Sequence, residues 1–151
     1  MNGAANTAAA GAHTAPLTGS DRAGNSTTMQ CAYDVVVPTC LGLTPTQVGT
    51  SGNDVINGTG GRDIIIGIGG HDTINGNDGD DVICGGDGGD TITAGRGADL
   101  VDGGVAKDSI FGSEGNDTLD GGAQNDSIRG DGGADTCTSG EVRMSSCETI
   151  T

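Results

Sequence analysis

The sequence predicts an all-β solenoid of about five coils, with two nine-residue repeats per coil and a short capping segment at each end. Three observations predict it: an Asp recurs every nine residues, an aliphatic residue follows each Asp by two places, and glycines stand between. The composition is unlike that of an ordinary globular core. Of 151 residues 31 are Gly, the only aromatics are Tyr33 and Phe111, and 32% are apolar, well below the usual half. Glycine loses more conformational entropy on ordering than any other residue. Something besides apolar burial must hold such a chain together.

Residues 1–30, rich in Ala, Gly, Asn and Thr, read as a disordered leader or linker. They carry neither the basic n-region nor the continuous apolar h-region of a signal peptide. Residues 31–48 contain the β-branched run of CAYDVVVPTC and read as an N-terminal cap. From Gly49 the chain divides into nines without an insertion: GTSGNDVIN, GTGGRDIII, GIGGHDTIN, GNDGDDVIC, GGDGGDTIT, AGRGADLVD, GGVAKDSIF, GSEGNDTLD, GGAQNDSIR and GDGGADTCT, ending at Thr138. Position six is Asp in all ten: Asp54, Asp63, Asp72, Asp81, Asp90, Asp99, Asp108, Asp117, Asp126 and Asp135. With 18 Asp in 151 residues, chance would place about one in ten such slots, so the period marks a repeat array. Position one is Gly except at Ala94, position four is Gly except at Ala106 and Gln124, and position eight is aliphatic except at Cys137. Residues 139–151 are left as a C-terminal cap.

Positions seven to nine alternate outward, inward, outward as a short strand does, which turns the position-eight aliphatic inward. Glycines at positions one and four mark a turn that needs positive φ or close backbone approach. One strand and one turn reverse the chain once, so two repeats complete a coil, with odd repeats in one parallel sheet and even repeats in the facing one. The aspartates then form two columns, Asp54, Asp72, Asp90, Asp108 and Asp126 in one and Asp63, Asp81, Asp99, Asp117 and Asp135 in the other. Neighbours in a column share a coil spacing of about 4.8 Å. Bare carboxylates at that distance repel by roughly 3 to 4 kcal/mol at an effective dielectric near 20. Each turn must therefore offer its carboxylate to a cation shared with the turn one coil away. Carboxylates with backbone carbonyls make a flexible all-oxygen shell that suits Ca²⁺. Mg²⁺ wants tighter octahedral geometry, and Zn²⁺ wants His or Cys that the turns do not offer.

GGDGGDTIT, residues 85–93, fits the pattern G-G-x-G-x-D-x-U-x at every defined position. On that motif and its ten tandem copies, residues 49–138 resemble the hemolysin-type calcium-binding nonapeptides of RTX (repeats-in-toxin) proteins. The flanks PTCLGLTPTQVGT and DTCTSGEVRMSSCETIT resemble those of secreted actinobacterial RTX-like proteins. The resemblance implies a right-handed parallel β-roll, Ca²⁺ as the bound ion, the ten position-six aspartates as its ligands, and an extracellular setting. Five turns per column enclose four gaps, which sets a ceiling of eight ions; their +16 would balance the formal charge of −15. Ala106 and Gln124 depart from the pattern in the odd column, so the Asp108–Asp126 site is expected to be the weakest or empty. The chain is expected to fold as calcium rises through the millimolar range of extracellular modules.

The acidity argues against nucleic acid and against anionic membranes as partners, and no apolar run is long enough for a membrane-spanning helix. The expected partners are calcium ions, with a domain of a longer parent chain or a cell-surface component as the macromolecular one. The only histidines are His13 and His71, His71 reading as a solvated turn residue, and no H-E-x-x-H or G-x-S-x-G motif occurs, so no enzymatic activity is expected. The competing class is a structural or adhesive solenoid in which calcium is only a structural ion. An ice-binding face is its extreme form, because Thr73, Thr91, Ser109 and Ser127 make an outward rank, though Val55 breaks it. Among five cysteines, Cys31/Cys40 and Cys137/Cys147 are short-spaced pairs of the kind that form extracellular disulfides, which leaves Cys84 over.

Overall fold

The structure, a computed structural model, describes residues 12–20, 26–34, 38–138, 143–147 and 149–150. They fall into two units, residues 1–37 and 38–151. In the first, β1 (Ala12–Ser20) pairs antiparallel with β2 (Ser26–Asp34), from Ala12↔Asp34 to Ser20↔Ser26. This pairing crosses the boundary expected at residue 30 and lies where a disordered leader was expected. Average composition hides two stretches of equal length, each holding Thr, that can pair through backbone alone.

In the second unit the chain passes alternately between two parallel sheets. One contains, in spatial order, β3 (Gln47–Val48), β5 (Ile64–Gly69), β7 (Val82–Asp87), β9 (Leu100–Val105), β11 (Thr118–Asp120), β13 (Thr136–Thr138) and β15 (Thr149–Ile150). The other contains β4 (Val55–Asn57), β6 (Thr73–Asp78), β8 (Thr91–Arg96), β10 (Ser109–Glu114), β12 (Ser127–Gly132) and β14 (Arg143–Ser145). Through the repeats each residue pairs with the one 18 places on, as in Ile65↔Ile83 and Ile74↔Ile92. Two repeats therefore make one coil. The position-eight side chains stack between the sheets as one cluster, every one from Ile65 to Cys137 at most 1% exposed.

The strands are longer than the sequence reading allowed. Six residues are extended in β5 to β10 and in β12, so each strand runs from position seven through position three of the next repeat. Only positions four to six turn. Alternation continues past position eight, which brings position one inward as the second residue of the buried row. Gly76 is buried there, and Ala94, the one exception, is fully buried in the core. The two glycine columns thus answer different demands. A methyl group on Gly67, at position one, would overlap Asp72 Oδ2 and the Gly85 carbonyl oxygen. Gly88, at position four, has φ 110° and approaches the Gly70 carbonyl too closely for any Cβ.

Both ends are tied by disulfides, and the C-terminal one departs from the 18-residue register that β3 still keeps through Gln47↔Ile65. Cys40 is bonded to Cys84 across 5.7 Å between Cα atoms, and Cys137 to Cys147 across 5.9 Å. The second bridge is the expected one; the first replaces Cys31–Cys40, and Cys84 is not left over. Sequence spacing favoured the near partner, whereas Cys84 holds an outward position nine beside Ile66, and the chain from residue 40 to 43 folds over it. Cys31 lies in β2. Cys40, Ile66 and Val82 are buried with Leu43, Ile64 and Cys84 against them, a small apolar patch outside the first sheet. At the other end, Met144 pairs with Ile128 and Ile150 with Cys137, so the C-terminal segment adds one strand to each sheet with steps of 16 and 13 residues.

Candidate metal centres

Each position-six Asp closes a turn, and its two oxygens meet different surroundings. The backbone N–H of Asp54 donates to Asp72 Oδ1 at 2.8 Å, and that of Asp63 to Asp81 Oδ1 at 2.7 Å. The same bond, at 2.8 to 3.0 Å, links Asp72 to Asp90, Asp81 to Asp99, Asp90 to Asp108, Asp99 to Asp117, Asp108 to Asp126 and Asp117 to Asp135. The ten aspartates thus stand in the two expected columns, one per coil, each Oδ1 from Asp72 onward held by the coil before it.

The second oxygen has no donor. Oδ2 of Asp72, Asp81, Asp90, Asp99, Asp108, Asp117, Asp126 and Asp135 is buried without a hydrogen-bond partner. Leaving one charged acceptor so costs about 1–3 kcal/mol or more; the pattern occurs eight times. In Asp72, Asp81, Asp90, Asp108 and Asp117 this oxygen faces position one of its own repeat, where another acceptor also arrives, the position-one carbonyl from one coil on. A Cβ built on Gly103 would lie 2.7 Å from both Asp108 Oδ2 and the Gly121 carbonyl oxygen. At the end of the even column the C-terminal cap supplies this carbonyl, since a Cβ on Gly130 would meet Asp135 Oδ2 and, at 2.7 Å, the Ser146 oxygen. Carboxylate and carbonyl oxygens converge with no hydrogen between them.

The electrostatics agree. Burial pushes the carboxyl of Asp90 and of Asp99 up to about 6 and that of Asp108 up to about 7, with neighbouring aspartates adding to the rise. Burial also raises Asp81, Asp117 and Asp126. Without a counter-ion these sites hold a proton more tightly than an exposed carboxyl does.

The first coil is different. Asp54 Oδ2 accepts from Thr50 N–H at 2.7 Å and Thr50 Oγ1 at 2.8 Å. Asp63 Oδ2 accepts from Thr59 N–H at 2.6 Å and Thr59 Oγ1 at 2.9 Å. The Thr59 N–H holds the Asp63 carboxyl below its ordinary value, opposite to its column neighbours. These threonines were not singled out from sequence, although Thr at position two occurs only in the first two repeats.

Among the described residues no three His, Cys, Asp or Glu side chains converge. The carboxylates come one from each coil, and backbone oxygens must complete any shell. That donor set fits a hard, flexible cation such as Ca²⁺ and not Zn²⁺. At Ala106 and Gln124 the turn conformation is kept, with φ 83° and 86° in place of the 110° to 142° of Gly88, Gly97 and Gly115. Asp108 and Asp126 keep the same free oxygen as the rest. The departure shows instead in β11, which stops at Asp120 and leaves only the bridge Val105↔Ala123 beyond it.

His71 is exposed, and its Nδ1 lies 2.9 Å from the Gly89 carbonyl oxygen and 3.1 Å from the Gly89 nitrogen, one coil on. The Thr73, Thr91, Ser109 and Ser127 rank is in register, and Val55 is 73% exposed at its end. Among the described residues no helix is long and apolar enough to cross a membrane.

A family model described as the RTX calcium-binding nonapeptide repeat (4 copies) matches residues 48–83, 85–119 and 111–141. Comparison with curated proteins found no match, and comparison with solved structures found none either.

Proposed function

The chain belongs to the RTX calcium-binding nonapeptide repeat family, and from that premise we propose that it is an extracellular β-roll module whose coils close when calcium binds at the position-six carboxylates. The observation that carries this reading is the set of eight buried Oδ2 atoms without a donor, six of them beside a backbone carbonyl at position one. Bound calcium would neutralise these oxygens and remove the repulsion between coils. The ligands would be Asp72, Asp81, Asp90, Asp99, Asp108, Asp117, Asp126 and Asp135, with position-one carbonyls and, at the last even turn, the Ser146 oxygen.

Calcium then acts on folding more than as an added weight. A core of one aliphatic per nine residues is thin, and binding free energy at sites that do not pre-exist in the unfolded chain becomes folding free energy. Millimolar calcium and an oxidising setting coincide outside cells, which accords with two disulfides on the second unit. The module's task is to hold shape where calcium is plentiful and stay open where it is scarce. No catalytic step is assigned to it.

The test is a calcium titration of the chelated full-length protein followed by far-UV circular dichroism and calorimetry, with magnesium as control. The reading predicts a cooperative gain of β signal with calcium and little with magnesium. A spectrum already β-rich in chelator and unchanged by calcium would refute coupled folding.

A further inference from the structure

We propose that the ion array begins at the second coil, and that the first coil is closed by the amide and hydroxyl donors of Thr50 and Thr59 in place of calcium. The inference rests on the calcium reading above and assigns its N-terminal limit.

The first observation is chemical. In eight turns Asp Oδ2 has no donor beside it, but in the first two an N–H and an O–H are both aimed at that oxygen, beside the carbonyls of Gly67 and Gly76. A cation bound there would face two positive hydrogen ends at contact distance. Each threonine hydroxyl is itself fixed, accepting from Gly52 N–H at 3.2 Å or Gly61 N–H at 3.3 Å while it donates to the carboxylate. Asp63 is closed on its other side too. Its Oδ1 would take the N–H of residue 45, but Pro45 has none, and the Thr46 hydroxyl stands in at 3.1 Å.

The second observation is conformational and independent. From the third repeat to the tenth, position two has positive φ: Ile68, Asn77, Gly86, Gly95, Gly104, Ser113, Gly122 and Asp131 lie between 71° and 122°. Thr50 and Thr59 do not. The peptide joining positions one and two therefore presents its N–H to the turn in the first coil and turns it away afterwards. In the second repeat the position-one carbonyl, Gly58 O, accepts instead from Asn77 Nδ2 at 2.8 Å. Ser113 is the internal control. It also offers a hydroxyl at position two, but at φ 83° it does not reach the carboxylate, and Asp117 Oδ2 stays unpartnered.

The Cys40–Cys84 bridge ties this end together, joining the segment before the first coil to β7 in the second. The result is a metal-free starter coil on which calcium-dependent coils stack.

Two measurements on the full chain test this. Native mass spectrometry counts ions in the wild type, in Asp54→Asn with Asp63→Asn, in Asp72→Asn with Asp81→Asn, and in Thr50→Gly with Thr59→Gly. The expected counts are unchanged for the first pair, two fewer for the second and two more for the third. Loss of two ions from Asp54→Asn with Asp63→Asn would overturn the inference. Amide exchange of the wild type with calcium present, where the coils are closed, needs no variant. The Thr50 and Thr59 N–H groups should exchange at least tenfold more slowly than the position-two amides of later repeats, and equal rates would overturn the proposal. A protein that binds no calcium at all would overturn the parent reading, and the exchange experiment separates that failure from this one.

Discussion

Asp90 shows how one side chain is divided between two tasks. Its Oδ1 accepts the Asp72 N–H at 2.8 Å and so joins two coils, while its Oδ2 is buried beside Gly85 and the Gly103 carbonyl with no donor. Asp90→Asn keeps the first task and gives the second a donor, an amide nitrogen facing that carbonyl. In chelator this variant should populate the β fold more than the wild type, by about 1–3 kcal/mol, and it should bind one calcium fewer; far-UV circular dichroism in chelator and a calcium titration measure the two effects. The raised carboxyls of Asp90, Asp99 and Asp108 fix a pH dependence. Their folded values, about 6, 6 and 7, lie above the ordinary value near 4, so the folded state holds protons that the unfolded state has released. Stability of the metal-free fold is thus fully present below about pH 4 and is lost as pH rises through 6 to 7. In chelator the far-UV β signal should therefore weaken as pH rises from 5 to 8. Calcium affinity should move the other way, weakening as protons compete below about pH 7.

At the scale of the strand and turn, the two glycine columns separate into a steric and a conformational requirement. Gly88→Ala places a Cβ against the Gly70 carbonyl at φ 110° and should cost about 1–3 kcal/mol, read as a drop in the denaturant midpoint with calcium present. The period, the parity of the two sheets, the position-eight core and the two aspartate columns were all legible in the sequence, because each depends on a residue type that recurs at a fixed interval. The strand through positions one to three was not legible: glycine there looks like a turn residue, and only the stack shows that its missing Cβ makes room for Asp Oδ2 and a carbonyl. Thr50 and Thr59 were overlooked for a related reason. Threonine at position two reads as variation until the backbone of the first coil is seen to turn its N–H inward. The Cys84 partner was hidden as well, since the bridge crosses coils and spans 44 residues.

For the whole molecule the balance is between a thin aliphatic row and a formal charge of −15. Covalent ties limit what the unfolded chain can explore, and the Cys40–Cys84 loop is the larger of the two, spanning 44 residues against 10. Replacing both cysteines with Ser should lower stability by up to about 4 kcal/mol on chain-entropy grounds, seen as a lower melting temperature in calcium. The caps finish the stack differently. The N-terminal end meets the repeats with a disulfide and threonine donors, and the C-terminal end with β14, β15 and the Ser146 carbonyl. Between them lie the turns whose interiors hold only oxygen acceptors, and on these the account depends. A crystal structure of the protein grown in calcium, with anomalous scattering used to identify the ions, examines them directly. The account predicts ions about 2.3–2.6 Å from the Oδ2 atoms of the columns that begin at Asp72 and Asp81. Oδ2 atoms that met only water, or a protein hydrogen-bond donor, would contradict it.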